Sequence, residues 1–221
     1  MVGKGAVVLL MSVVACGCAA RAGRAHEASH PARGGDPDAP AALAVLPEMV
    51  REPADENERM HPALALAGEI FERKLPEVPE DRSYASLSQW VESAITPWVE
   101  ERRDAIDDVR FQMLGRDPSP VEHVLSGAVV GLLQEDTALS LERIPPPSEL
   151  DREPEIATMF RDIIRAQARP LVGSAVREYR KCEEIGASEG DELERWSHFC
   201  HARMLRLRAA TDPAPSAPPA R

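Results

Sequence analysis

The sequence lacks the short motifs by which many enzymes are identified. It contains no phosphate-binding loop, no dinucleotide fingerprint and no Cys-x-x-Cys-His haem attachment site. The stretch nearest to a nucleophile elbow, VGSAV around Ser174, lacks the glycines which that turn requires. Basic residues number 26 against 37 acidic ones, and the formal net charge of −11 disfavours binding to a phosphate backbone. The sequence therefore identifies no catalytic residue and no cofactor, and it disfavours a nucleic-acid partner.

Long apolar runs are missing as well. An uncharged apolar stretch covers residues 5–15, after Lys4 and before Arg21. A helix that crosses a membrane needs about 20 apolar residues, so this stretch is too short to span one permanently. A positive charge followed by a short apolar run is typical of a signal peptide. The first 15 residues are therefore predicted to be a signal peptide.

The end of that stretch reads Val13, Val14, Ala15, Cys16, and V-V-A-C resembles the lipobox of bacterial lipoproteins, which more often have Leu where Val13 stands. The resemblance covers the first 16 or so residues. It implies that the thiol of Cys16 receives a diacylglyceryl group, that cleavage makes Cys16 the first residue, and that an acyl chain such as palmitate modifies the new amino terminus.

The residue after the lipobox bears on location. Gly17 stands where inner-membrane retention in the best-known lipoproteins requires Asp. The resemblance therefore implies an outer-membrane anchor, with the domain in the periplasm. Cys18 is the alternative lipidation site, but Ala15 and Cys16 fit the positions before it less well.

Composition divides the remaining chain. Residues 16–40 are rich in Ala, Gly, Pro and Arg and show no apolar period, which is typical of a flexible tether. Residues 211–221 contain several prolines and are predicted to be a disordered tail. Residues 41–210 are predicted to be one helical domain.

Apolar residues within that domain recur at helical spacing, and no strand pattern is found. The spacing predicts helices over residues 41–50, 62–75, 84–113, from 119 to the proline run at 145–147, from 148 to about 185, and 191–208. Short, proline-marked connections between helices are typical of a bundle. The predicted fold is therefore all-α, an irregular bundle of about five helices.

One of these helices carries distinct local signals. Ser119, Pro120 and Glu122 match a capping box, with proline at the first helical position. Gly127 and Gly131 follow at four-residue spacing on the same helix. Because the apolar run around them is too short to span a membrane, they predict close packing against a neighbouring helix.

Two other positions predict interruptions. Thr96 followed by Pro97 is typical of a helix start, so the helix over 84–113 is expected to be kinked or split there. The stretch GASEG at 186–190 predicts the end of one helix and the turn into the last.

Cys182 and Cys200 lie on the two helices that flank that turn. In an oxidising compartment they are predicted to form a disulfide, which would leave Cys18 without a partner. A turn at 186–190 would offset the two sites by about 7 Å along the helix axes, so the bond requires staggered or crossed helices. The alternative is a pair of buried reduced thiols.

Glu194, His198 and His201 share one face of the last helix and form the best candidate metal site. Three such positions on one helix arise easily by chance, so a solvated polar face is the simpler interpretation. The acidic residues at 100–108, interleaved with Arg102 and Arg103, are likewise predicted to form ion pairs on a wet face.

These features predict a lipoprotein of the bacterial envelope, anchored through Cys16, whose helical domain binds or scaffolds an envelope protein partner. The alternative is a metal-binding or metal-dependent helical protein that uses Glu194, His198 and His201.

Overall fold

The structure is a computed structural model, and it describes residues 62–113 and 117–211. The predicted signal peptide, the tether, the helix over 41–50 and the tail beyond residue 211 lie outside the described residues. Cys16 and Cys18 lie outside them too.

The described residues form five helices and no strand, which confirms the all-α bundle. Helix α1 is Pro62–Glu72, and α2 covers residues 84–113. Helix α3 is Pro120–Glu142, α4 is Pro154–Ser188 and α5 is Asp191–Thr211. A short 3₁₀ helix, Ser148–Arg152, precedes α4.

Helix α2 continues through Thr96 and Pro97 instead of splitting there. It consists of the α-helical segments Tyr84–Trp90 and Thr96–Met113 joined by one π-helical stretch, Val91–Ile95. Thr96 has helical dihedral angles, and both its backbone N–H and its hydroxyl donate to the carbonyl of Val91. The wider π turn satisfies this carbonyl five residues back, next to a proline that has no N–H to donate.

Helix α3 begins as the capping box predicts. The Ser119 hydroxyl accepts the backbone N–H of Glu122, and the Glu122 carboxylate accepts the N–H of Ser119 at 2.8 Å. The prediction that the apolar run around Gly127 and Gly131 is too short to span a membrane is wrong, since α3 alone among the described helices could cross one by length and mean hydropathy. However, 89% of its most apolar window is buried inside the bundle. Helix α3 is thus the central core helix, with α1, α2, α4 and α5 packed around it.

The buried apolar side chains form two clusters. The larger cluster surrounds α3 and includes Val129, Leu133, Tyr179 and Trp196. A smaller one lies where α2 begins and α3 ends, and consists of Leu87, Trp90, Val91, Ile95, Leu141 and Ile144. Leu171 of α4 packs against both.

The two glycines of α3 allow α4 to approach closely, as predicted. A Cβ atom at Gly131 would lie 2.6 Å from Cε1 of Tyr179. A Cβ atom at Gly127 would lie 3.3 Å from the carbonyl oxygen of Glu178 and 3.4 Å from Cβ of Cys182. The absence of a side chain at Gly131 therefore makes room for the Tyr179 ring.

The turn between α4 and α5 is shorter than predicted. Helix α4 continues to Ser188, and Gly190 adopts a φ of 84°, a conformation that favours glycine. The predicted break over 186–190 is therefore confirmed at its end, residues 189–190, and the last helix begins at Asp191 as predicted. Gly186, the first residue of that stretch, still belongs to α4 and is buried, and an added Cβ there would lie 3.1 Å from Cβ of Ser197.

We predict that Gly131→Ala lowers the free energy of unfolding by about 1–3 kcal/mol, because the new methyl group overlaps the Tyr179 ring. Gly173→Ala is the matched control, since its added Cβ would lie 3.7 Å from the Arg177 side chain, an ordinary contact. This control should be neutral or stabilising by up to about 1 kcal/mol through helix propensity. Urea unfolding of both variants checks the prediction, and equal stability would contradict it.

Candidate functional site

The structure brings Cys182 and Cys200 together. Their Sγ atoms are 2.06 Å apart, the distance of a disulfide bond, and their Cα atoms are 6.1 Å apart. Both residues are fully buried. Because α4 reaches Ser188, Cys182 precedes the turn by six residues and Cys200 follows Asp191 by nine. The resulting axial offset is about 4.5 Å at the usual rise per residue, so little stagger is needed.

The three candidate metal ligands do not converge. The His198 Nε2 atom lies 3.8 Å from the Glu194 Oε1 atom, and both side chains are exposed. His201 turns the other way, with Nδ1 2.6 Å from Oε1 of Glu183 on α4. Among the described residues no three His, Cys, Asp or Glu side chains are placed to hold a metal ion. The geometry of this helix face therefore lends the metal-binding alternative no support.

The charged stretch of α2 is only partly a wet face. Glu101 forms an ion pair with Arg73, and the Arg103 and Asp104 side chains are largely exposed. Arg102, however, is 2% exposed, which makes the prediction of a solvated position wrong. Its guanidinium carbon lies 3.6 Å from the centroid of a Trp98 ring.

The contacts of Arg102 link three parts of the chain. Its Nη2 donates to the backbone carbonyl of Arg73 at 3.0 Å and to Asp136 on α3 at 3.2 Å. The indole N–H of Trp98 donates to the same Arg73 carbonyl at 3.1 Å. Burial lowers the pKa of Arg102, and the nearby Asp136 carboxylate opposes that shift. This cluster attaches the end of α1 and the middle of α2 to the central helix.

Four consecutive polar residues of α3, QEDT at 134–137, form one turn in the middle of the core helix. The Gln134 amide donates to the Ser174 hydroxyl of α4 at 3.0 Å. Asp136 contacts Arg102 of α2, and the Thr137 hydroxyl donates back to the Leu133 carbonyl. Gln134 and Asp136 therefore contact different helices, whereas Thr137 bonds to its own helix. We call residues 134–137 the polar turn.

Glu135 is the deepest charged group of the polar turn, at 1% exposure. Its Oε2 atom accepts the Tyr179 hydroxyl of α4 at 2.7 Å and Nε of Arg203 of α5 at 3.0 Å. Its Oε1 atom has no hydrogen-bond partner among the described residues. The ring of Phe199 covers the cluster, with its centroid 6.2 Å from that of Tyr179 and 6.0 Å from the Arg203 guanidinium carbon.

The electrostatics follow from this depth. Burial raises the pKa of Glu135 above its ordinary value, although Arg203 and Tyr179 both act to lower it. Burial and the Glu135 charge raise the pKa of Tyr179 well above its usual range. Burial lowers the pKa of Arg203, but Glu135 and Tyr179 raise it more, so the guanidinium remains charged. The cluster is an ion pair with a neutral tyrosine donor.

These contacts hold α3, α4 and α5 together, and the burial of the cluster makes it a poor candidate for a catalytic site. The carboxylate is enclosed by Tyr179, Phe199 and Arg203, so a dissolved substrate has no direct access to it. The Ser174 hydroxyl, the nearest match to a nucleophile in the sequence, accepts a hydrogen bond from Gln134 and has no histidine partner among the described contacts. The buried polar groups therefore act as interhelical contacts.

Sequence reasoning missed Glu135, Arg102 and Arg203. The sequence does contain a sign of buried charge, namely four consecutive polar residues at 134–137 within an otherwise apolar helix. That helix is buried on all sides in the structure. Buried carboxylates need a cation and hydrogen-bond donors. The polar turn thus indicated that partners exist, but its sequence could not indicate which arginines supply them.

We predict that the protein isolated from the cells that make it contains a covalent bond between Cys182 and Cys200. Peptide mapping without reductant should recover the two cysteines in one linked peptide. The Cys182→Ala, Cys200→Ala double variant should be less stable by about 3 kcal/mol in the chain-entropy description. Recovery of two alkylated free thiols at these positions would contradict the prediction.

A second prediction concerns pH. Arg203→Met removes the cation that faces the buried Glu135 carboxylate, and removing one partner of a buried ion pair costs about 3 kcal/mol. A carboxyl group with a raised pKa binds its proton more tightly in the folded state, so protonation on acidification favours folding. The deficit of the variant should therefore be largest above the raised pKa of Glu135 and should shrink as the pH falls through it.

Urea unfolding at pH 8 and at pH 5 measures this difference. The control is Arg206→Met on the same helix, because Arg206 is exposed and acts on Glu135 only through its charge, which lowers the pKa of Glu135, without a hydrogen bond. Its deficit should stay within about 0.5 kcal/mol at both pH values. A deficit of Arg203→Met that does not change with pH would show that Glu135 stays ionised throughout, against the prediction.

Comparisons with protein families, with curated proteins and with solved structures find no match to this chain.

Proposed function

We propose that this chain is a lipoprotein of the bacterial envelope, anchored by lipid on Cys16, whose helical domain holds an envelope protein partner close to the membrane. The observation that carries the proposal is the V-V-A-C stretch that ends at Cys16, after a short apolar run. The domain is placed in the periplasm and the anchor in the outer membrane, because Gly17 stands where retention in the inner membrane requires Asp.

The cysteine pair supports this location. Cys182 and Cys200 lie at disulfide distance, and disulfides persist in the periplasm and other oxidising compartments. Cytosolic proteins rarely keep such a bond. The cysteine pair therefore supports export independently of the signal peptide, because the two cysteines lie far from it in the sequence.

The use of polar groups supports binding over catalysis. The buried charged side chains form contacts between helices, namely those of Glu135, Arg102 and Arg203. The described residues bring no nucleophile together with a base. A rigid domain on a lipid anchor needs only a surface in order to position a partner. The anchor supplies that position, since each buried methylene of an acyl chain contributes about 0.8 kcal/mol and two or more chains hold a protein stably.

We predict that Cys16→Ala moves the protein from the membrane fraction to the soluble fraction, because the variant lacks the thiol that carries the lipid. Cys18→Ala is the matched control, two residues away, and should remain in the membrane. Detergent-phase partitioning and the intact mass of each form measure the outcome. Unchanged partitioning of Cys16→Ala, or a mass without added acyl chains in the unaltered protein, would refute the anchor.

The partner is tested by crosslinking in the native envelope. A photo-crosslinking residue at Phe111, the most exposed large apolar side chain of the described residues at 73%, probes the surface with little risk to folding. In cells that make the protein with Cys16 intact, we expect one dominant envelope protein to be crosslinked to the probe. In cells that make the Cys16→Ala variant, the yield of this crosslinked product should be much lower. A probe that captures no protein at this position or at other exposed positions would argue against a scaffolding role.

A further inference from the structure

The first part of α4 extends beyond the helix that it packs against. Helices α3 and α4 run antiparallel, with Gly131 against Tyr179 and Gln134 against Ser174. This register places Glu142, the last residue of α3, beside residue 167 or so of α4. About thirteen residues at the start of α4, roughly 20 Å of helix, therefore lie beyond the end of α3.

That extension carries a second apolar face. Ile156 is 43% exposed and Met159 62% exposed, while Ile163 is half-buried and Ala166 is exposed. None of these four belongs to either core cluster or packs against one. We call Ile156, Met159, Ile163 and Ala166 the α4 seam.

The α4 seam faces away from the bundle. The residues that α4 buries in this region are Ala157 and Ala168. At about 100° of rotation per residue, the seam lies roughly 150° around the helix from them. Its successive spacings of three, four and three residues are the a and d spacing of a coiled coil, which brings one helix against another over a narrow strip.

The charged residues beside the α4 seam indicate which molecule would bind to it. Glu155 and Arg169 lie on the same flank, at equivalent positions two heptads apart, and both are exposed. Neither has an ion-pair partner within the described part of the chain. In an antiparallel helix pair, equivalent flanking positions of the two helices face each other, so Glu155 of one copy would face Arg169 of the other, twice. A parallel pair would instead place Glu155 near Phe160, with no opposite charge.

We propose that the α4 seam is the contact between two copies of this chain, arranged antiparallel about a two-fold axis near residue 161. Met159 then packs against Ile163 of the partner subunit, and Ile156 against Ala166 of the partner subunit. Phe160, on the other flank, meets the same residue of its partner. The surface is self-complementary in both shape and charge, as a two-fold interface requires.

One contact at the axis opposes association. Asp162 lies on the charged flank between Glu155 and Arg169, so the antiparallel arrangement brings two Asp162 carboxylates near each other. Arg165 lies 3.4 Å from Asp162 in the same helix and reduces the repulsion. Asp162→Asn should consequently strengthen the dimer, a result that a merely apolar contact would not produce.

The seam is short, so the dimer is expected to be weak in solution. A strip of three helical turns buries less than the roughly 1,200–2,000 Å² of a standard stable interface. Confinement of both copies to one membrane would raise their effective concentration. The contact itself does not require the lipid anchor, and a failure of one proposal leaves the other intact.

Sedimentation equilibrium of the full chain in detergent, over a concentration series, tests the proposal. The unaltered protein should approach twice its monomer mass, and Met159→Glu should remain a monomer. Glu155→Arg or Arg169→Glu alone should weaken association at least tenfold, and the combined charge exchange should restore it. A protein that stays monomeric at every concentration, or a dimer that these variants leave unchanged, would overturn the proposal.

Crosslinking distinguishes other occupants of the seam. A Phe160→Cys variant in a Cys18→Ala background, treated with a short bismaleimide in the native envelope, should link to a second copy through residue 160 itself. Arg161→Cys is the control, since its neighbouring position faces away from the seam. A product that links residue 160 to another protein, or to residues 1–61 of the same chain, would overturn the proposal. Melting temperatures close to that of the unaltered protein would show that each variant folds.

Discussion

Glu135 imposes the constraint on which the rest of the bundle depends. A carboxylate at this depth is costly unless a cation and hydrogen-bond donors reach it, and here they come from two other helices. Tyr179 reaches Glu135 because Gly131, one helical turn away, carries no side chain against its ring. The position of Arg203 in turn sets how α5 lies against α3. The Glu135 carboxylate thereby connects the requirement for glycine at position 131 of α3 with the positions of α4 and α5 against that helix.

The cysteine pair and the short turn act on the same pair of helices. Cys182 is one turn from Tyr179, and Cys200 is three residues before Arg203, so the covalent bond and the ion pair are adjacent. Gly186 allows the two helices to approach next to the turn. This half of α4 is therefore held by several independent contacts. The opposite end of α4 lies beyond α3 and presents apolar side chains outward, which makes the two halves of one helix suited to different tasks.

Much of the local structure could be predicted from the sequence. The helical class, the start of α3 at Ser119 and the close packing at Gly131 are confirmed, and so is the approach of the two cysteines. Of the kink or split expected at Thr96, the split does not occur: the α-helix is interrupted there by a π-helical stretch, Val91–Ile95, which accommodates the following proline. The solvated position of Arg102 was wrong because Trp98 and the carbonyl of Arg73, distant in sequence, enclose it.

The sequence by itself determined what depends on neighbours within a few residues. A capping box joins positions three apart, and helical periodicity repeats within one or two turns, so both can be read along the chain. The tertiary structure alone decided which side chains are paired in the core. Tyr179 and Arg203 lie 44 and 68 residues from Glu135. Burial at such separations depends on how whole helices pack, and that packing raises the pKa of Glu135 where the sequence shows only one acidic residue among many.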